Sequence, residues 1–268
     1  MSARLDERRR ANVTALISEF ARYLAVFEHD PPFRRYGQWE FHRETIQLRY
    51  KLGSAAAALE SDEFLEILRK TLQAWGIGIR GSRLLPMDEF KRAIRAKTPE
   101  ITFLEKFAIG DPTIDANLIK TRVWPLIDGL KITNNKSQIV AATKALHHLL
   151  PELIVPIDRA YTQNFFCWQS QNLQYKQEDC VQDAFSTFTQ IATKIDAARY
   201  VAEGWNTSRT KVLDNAIIGF ILADELARPQ LRRSAKPTIP TAPTRPSTSG
   251  LFGSLIDWAR RQLAIWQR

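Results

Sequence analysis

Residues 132–161 read ITNNKSQIVAATKALHHLLPELIVPIDRAY. Within them Ile139, Ala142, Leu146, Leu149 and Leu150 recur at the spacing of one helix face. Pro151 and Pro156 bound a short loop, since proline cannot continue a helix interior. Asp158 follows Pro156-Ile157, where its carboxylate can cap a helix opening at Arg159. The stretch therefore reads as turn, helix, Pro-bounded loop and second helix. Lys144 and His148, four apart, share the face opposite the apolar stripe.

The same reading extends in both directions. Val13, Leu16, Ile17, Phe20, Leu24 and Phe27 predict one helix over 5–27, stopped by Pro31-Pro32. Ser61 is placed to cap a helix carrying Phe64, Leu65, Leu68, Leu72 and Trp75. Further helices are expected at 87–96, 113–124, 137–150, 160–168, 181–194 and 208–226. Ser208 or Thr207 would cap the last of these. No strands alternate with these helices, so the expected fold is all-α with no parallel sheet.

Charge separates the chain into unlike parts. Net charge is +9, but from Arg228 to Arg268 eight basic residues face the single acid Asp257, so the tail carries +7 and the body only +2. Attraction to a polyanion read from net charge thus belongs to the tail. Five prolines with Ser and Thr between Pro229 and Gly250 read as a disordered linker with nothing to bury. The expected organisation is a helical body over 1–228, a linker over 229–250 and an amphipathic helix over 251–268. That helix puts Leu255, Trp258 and Trp266 on one side and Arg260 and Arg261 on the other. It can pack on the body, on a second copy or partner protein, or on an anionic membrane surface.

The start of the chain holds Arg4, Asp6, Glu7, Arg8, Arg9 and Arg10 and no apolar leader, so a cytoplasmic protein is expected. Cys167 and Cys180 are two thiols without a second ligand pair, and no metal or organic cofactor is implied. Gly76-Ile-Gly78-Ile-Arg80-Gly81 matches a dinucleotide-loop pattern in letters only, because it follows a helix rather than a strand. With Arg83, Arg80 can instead touch nucleic-acid phosphate. Arg209 and Lys211, at the start of a helix after Trp205-Asn206, can do the same or remain solvated surface charges. Serine-hydrolase, zinc-protease and Walker patterns are missing from the sequence.

The 132–161 stretch resembles the helix-hairpin-helix DNA glycosylase superfamily, in which a helix is followed by a short Pro-Val/Ile-Asp loop. Pro156-Ile157-Asp158 matches that loop. The resemblance implies DNA binding and base excision, with Asp158 as the catalytic carboxylate acting on an extruded nucleotide. It implies a lysine nucleophile for which Lys136 and Lys144 are the candidates. Asn134 and Asn135 stand where the family's hairpin carries glycines, and Arg159 adjoins the catalytic loop. The stretch, with the segments Trp75-Gly76-Ile77-Gly78 and Trp205-Asn206-Thr207-Ser208-Arg209-Thr210-Lys211, is also similar to a group of uncharacterised bacterial proteins. The alternative is a non-catalytic interaction protein docking through residues 251–268.

Overall fold

The computed structural model describes residues 3–78 and 82–234, with side chains up to residue 226. Contacts divide the chain into Met1–Pro229 and Gln230–Arg268. Arg80, the 229–250 linker beyond residue 234 and the 251–268 helix lie outside the described residues.

The described residues are helical without a strand. The helices are α1 (Ala3–Ser18), α2 (Phe20–His29), α3 (Gln38–Lys51), α4 (Ala55–Glu60), α5 (Asp62–Ala74), α6 (Met87–Arg95) and α7 (Thr98–Leu104). Next come α8 (Ala116–Leu118), which runs through a π-helical turn at Ile119–Val123 into α9 (Trp124–Gly129), and then α10 (Ile139–Leu149). The short α11 (Thr162–Phe165) and α12 (Asn172–Tyr175) precede α13 (Gln177–Ile195), a 3-10 turn at Ala197–Tyr200 and α14 (Arg209–Ser234). A single isolated bridge pairs Leu84 with Thr133. No helix among the described residues is long and apolar enough to cross a membrane.

Where hydrophobic periodicity is strong, expectation and structure agree. Ser61 accepts the Phe64 amide at 3.2 Å and opens α5, whose Phe64, Leu65, Leu68 and Leu72 are fully buried. Ser208 accepts the Lys211 amide at 3.3 Å and opens α14. The single helix expected over 5–27 is two, broken at Glu19, whose φ of −124° and ψ of 32° leave the helical region. α14 runs to Ser234 and so carries the helix past residue 228.

The helices α3, α4 and α7 escaped the periodicity reading, and α3 shows why. Its inward positions His42, Thr45, Ile46 and Arg49 are buried, and three of the four are polar. Each polar group is satisfied inside. Thr45 and Thr71 hydroxyls meet at 2.7 Å across the packed pair α3 and α5. The Arg49 guanidinium bonds the Leu149 carbonyl at 2.9 Å and pairs with Glu105, whose carboxylate also takes the Ala55 amide at 2.7 Å. A helix whose buried face is polar has no apolar stripe for the eye to find. It is stable because those groups are paired rather than stranded.

Candidate functional site

α10 lies within the core. Its apolar stripe is buried as expected, but so are His147 and His148. Three elements close over the face that carries Lys144 and His148. α3 brings His42, the end of α5 brings Trp75, and the Trp205–Ser208 loop with the first turn of α14 brings Trp205, Thr207, Thr210, Lys211 and Asp214. Asn215 holds that loop, donating to the Trp205 carbonyl at 3.1 Å and to Asn206 at 2.8 Å.

The three imidazoles form one cluster, all with no solvent exposure. His42 stacks on Trp205 with ring centroids 5.7 Å apart and meets His148 edge-on at 5.1 Å. His148 Nδ1 lies 2.8 Å from the Lys144 carbonyl and must donate to it, so His148 Nε2 is an acceptor. His42 Nδ1, 3.0 Å from that Nε2, therefore carries the proton. Its Nε2 then accepts from the Thr207 hydroxyl at 3.0 Å. His147 Nδ1 donates to the Ile154 carbonyl at 3.0 Å, while its Nε2 is buried with no hydrogen-bond partner.

Burial dominates the acid–base behaviour here. Desolvation, with the neighbouring charges of His148 and Lys211, drives the His42 pKa well below 6.5, and His147 is depressed in the same way. His148 is pushed down to about 4 by burial, with Lys211 and Lys144 adding to the effect. In the folded protein His148 stays neutral between about 4 and 6.5, whereas the unfolded chain takes up a proton there. The stability it contributes is complete above pH 6.5 and is lost as pH falls. Its share is about 1.4 kcal/mol per pH unit in that window. Urea unfolding in EDTA-containing buffer at pH 7, 6 and 5 is expected to show this share added to those of His42 and His147, and His148→Gln is expected to reduce the slope by about 1.4 kcal/mol per pH unit. Equal slopes in both proteins would contradict a neutral His148.

Beside the imidazoles sits a second layer of charge. Lys211, expected at a phosphate-binding surface, is instead fully buried. Its ammonium is 2.5 Å from Asp214 Oδ2 and within 5.0–6.0 Å of the ring centroids of Phe27, Phe33, Trp75 and Trp205. That location corrects the surface assignment: a cation caged by four rings and a carboxylate cannot reach a nucleic-acid backbone. Burial raises the Asp214 pKa, and Lys211 opposes the rise.

Lys144 donates to the Trp75 carbonyl at 3.1 Å, and its pKa is lowered by desolvation against the pull of Asp158 and Asp214. Asp158 closes the turn after it, with Oδ1 taking the Tyr161 amide at 2.7 Å and the Thr162 amide at 3.2 Å, and the helix expected from Arg159 to 168 is only the four-residue α11 starting at Thr162. Oδ2 has no hydrogen bond among the described residues. Lys144 and Asp158 thus share one neighbourhood, whereas Lys136 is exposed on the turn before α10. The rim of the cluster, made by Trp39, Trp75, Lys144, Trp205 and Thr207, is partly exposed. A groove of about 590 Å³ between α1, α12 and α13 is lined by Arg9, Trp168, Tyr175 and Asp183 and by none of these residues. The histidine cluster, Lys144 and Asp158 therefore lie apart from this groove.

The polar residues of the turn fall partly as expected. Arg83 and Asn134 come together: the Arg83 amide donates to Asn134 Oδ1 at 2.8 Å and the Asn134 amide to the Arg83 carbonyl at 3.0 Å. Arg83, Asn134, Asn135 and Lys136 are all exposed, as is Arg159. Neither asparagine adopts a left-handed backbone. The first amides of α10 are already taken, since Gln177 Oε1 accepts from Gln138 and Ile139 at 3.1 and 3.2 Å. Arg209 is drawn to Glu152 at 3.3 Å.

No protein-family model, no curated protein and no solved structure matches this chain. What the site does must therefore be argued from its own groups. The sequence reading missed His42, Trp75, Trp205 and Asp214. One signal was available, namely polar residues interrupting apolar helices. His147-His148 fall between Leu146 and Leu149, and Lys211, Asp214 and Asn215 fall among Val212, Leu213 and Ile217.

Proposed function

We propose that this protein binds DNA and excises a base, with Asp158 and Lys144 at the reacting sugar. The observation that carries the reading is their shared neighbourhood: a carboxylate with one oxygen uncommitted, and a desolvated amine four residues before His148. A nucleophilic lysine needs a population of neutral amine, which desolvation supplies. The amine would attack C1′ of an extruded nucleotide. The base departs with the electrons of the glycosidic bond and takes up a proton, and the amine nitrogen passes its own proton to a base such as the Asp158 carboxylate. Ring opening then leaves an imine, which hydride can reduce to a stable cross-link. Arg83, Asn134, Asn135, Lys136 and Arg159 are exposed and available for phosphate contacts.

The test is borohydride trapping on a duplex with one abasic site. The intact protein is expected to give a covalent species that Lys144→Met loses entirely. Asp158→Asn is expected to slow its formation by about 100-fold, the lower range for a proton-transfer residue. A trapped species that persists undiminished in Lys144→Met would remove the amine from this role. Absence of both trapping and DNA binding by the intact protein would end the excision reading.

A further inference from the structure

We infer that His42, His147 and His148 hold a divalent transition-metal ion of the zinc class, each through one ring nitrogen. One nitrogen from each ring lies within 4.8 Å of the other two. Hydrogen bonding identifies which nitrogens these are. In each ring the far nitrogen is held from outside, Nδ1 of His148 by the Lys144 carbonyl, Nδ1 of His147 by the Ile154 carbonyl and Nε2 of His42 by Thr207. That leaves Nε2 of His148, Nε2 of His147 and Nδ1 of His42 as the nitrogens for the ion. Ligand histidines of metal sites show this arrangement, in which an outer partner sets the tautomer and aims the other nitrogen at the ion.

The second observation is the unpartnered Nε2 of His147, buried with a lone pair and nothing to receive. A buried acceptor without a donor is costly, and a cation is the partner such an atom lacks. Imidazole nitrogens favour zinc, copper and nickel over magnesium and calcium, which take oxygen. Nitrogens bonded tetrahedrally at roughly 2.0–2.1 Å stand about 3.4 Å apart. The His42–His148 pair at 3.0 Å opens by a few tenths of an ångström, and the third nitrogen closes in.

Binding requires one proton to move. His42 loses the Nδ1 proton and gains one on Nε2, where the Thr207 hydroxyl turns from donor to acceptor. All three ligands are then neutral imidazoles and no net proton is released. The facing charges are Lys211 and Asp214 from α14, Lys144 from α10 and Asp158 from the loop after it, two cations against two carboxylates. The partly exposed rim at Thr207, Trp75 and Trp205 provides the way in. Three protein ligands leave a coordination position for water, the arrangement of reactive rather than purely structural zinc sites.

This inference does not depend on base excision, and its measurement uses no DNA. Full-length protein stripped with EDTA and dialysed against Zn²⁺ is expected to retain one equivalent, with no such retention of Mg²⁺. Zinc X-ray absorption on that sample is expected to read imidazole nitrogens at roughly 2.0–2.1 Å and no sulfur. Thr207→Val, which removes only the outer partner of His42, is expected to weaken zinc binding about 10-fold. His42→Gln and His147→Gln, checked for unchanged helicity by circular dichroism, are expected to weaken it by more than the roughly 100-fold that an outer partner can cost. The exposed His29→Ala variant is expected to bind as the parent does. The inference is overturned if the unmodified protein retains no zinc, if the ion carries sulfur ligands, or if both histidine variants keep a full equivalent. If a histidine variant fails to fold, the X-ray absorption of the unmodified protein decides alone.

Discussion

Asp214→Leu is expected to lower the free energy of unfolding by about 3–5 kcal/mol, the usual cost of leaving one partner of a buried ion pair alone. Lys211 has no solvent exposure, and Asp214 is its only hydrogen-bond partner among the described side chains. The rings of Phe33, Trp75 and Trp205 attract the ammonium but accept no proton from it in the way a carboxylate does. Without Asp214 the amine must lose its charge or pull water into the cage. The double variant Lys211→Met/Asp214→Leu is expected to recover most of the loss, because exchanging a buried pair for apolar groups of similar volume is often near neutral. Urea unfolding of the two single variants and the double variant completes the cycle. Should Asp214→Leu cost under about 1 kcal/mol, the range of an exposed pair, the buried pair described here is wrong.

Gly219→Ala is expected to destabilise the protein by about 3 kcal/mol, at the upper end of what overpacking costs. Alanine is normally the better helix former by about 1 kcal/mol, so an exposed site would show the opposite sign. Here α14 lies directly on α2. A Cβ at residue 219 would stand 1.9 Å from the Tyr23 carbonyl oxygen and 2.8 Å from its carbon, and both atoms are backbone. No rotamer change relieves such an overlap, so the two helices must separate. Their separation would disturb the rings around Lys211, since Phe27 belongs to α2. Thermal unfolding of Gly219→Ala measures the effect, and a variant as stable as the parent would show that α2 and α14 do not touch there.

The parts of the fold that were legible in the sequence are those whose buried face is apolar. α5 and α10 repeat leucine and isoleucine at three and four residues, and Ser61 announces the start of α5. A period of 3.6 can be read without any partner, because it depends only on which residues avoid water. α3 was not legible, since His42, Thr45 and Arg49 avoid water only when Thr207, Thr71 and Glu105 are there to meet them. The candidate site divides in the same way. Asp158 and Lys144 stood out from their place around a Pro-bounded loop. The environment that changes the chemistry of Lys144 comes from Trp75, 69 residues before it, and from Asp214, 70 residues after it.

By itself the sequence determined the all-α class and the caps at Ser61 and Ser208. Each of these rests on local periodicity or on a side chain bonding its own backbone a few residues away. Only the tertiary structure decided that His42 joins His147 and His148, that Lys211 is caged rather than solvated, and that Gly219 is required. Those outcomes depend on desolvation and on contacts between distant segments, and no short stretch of chain encodes either quantity.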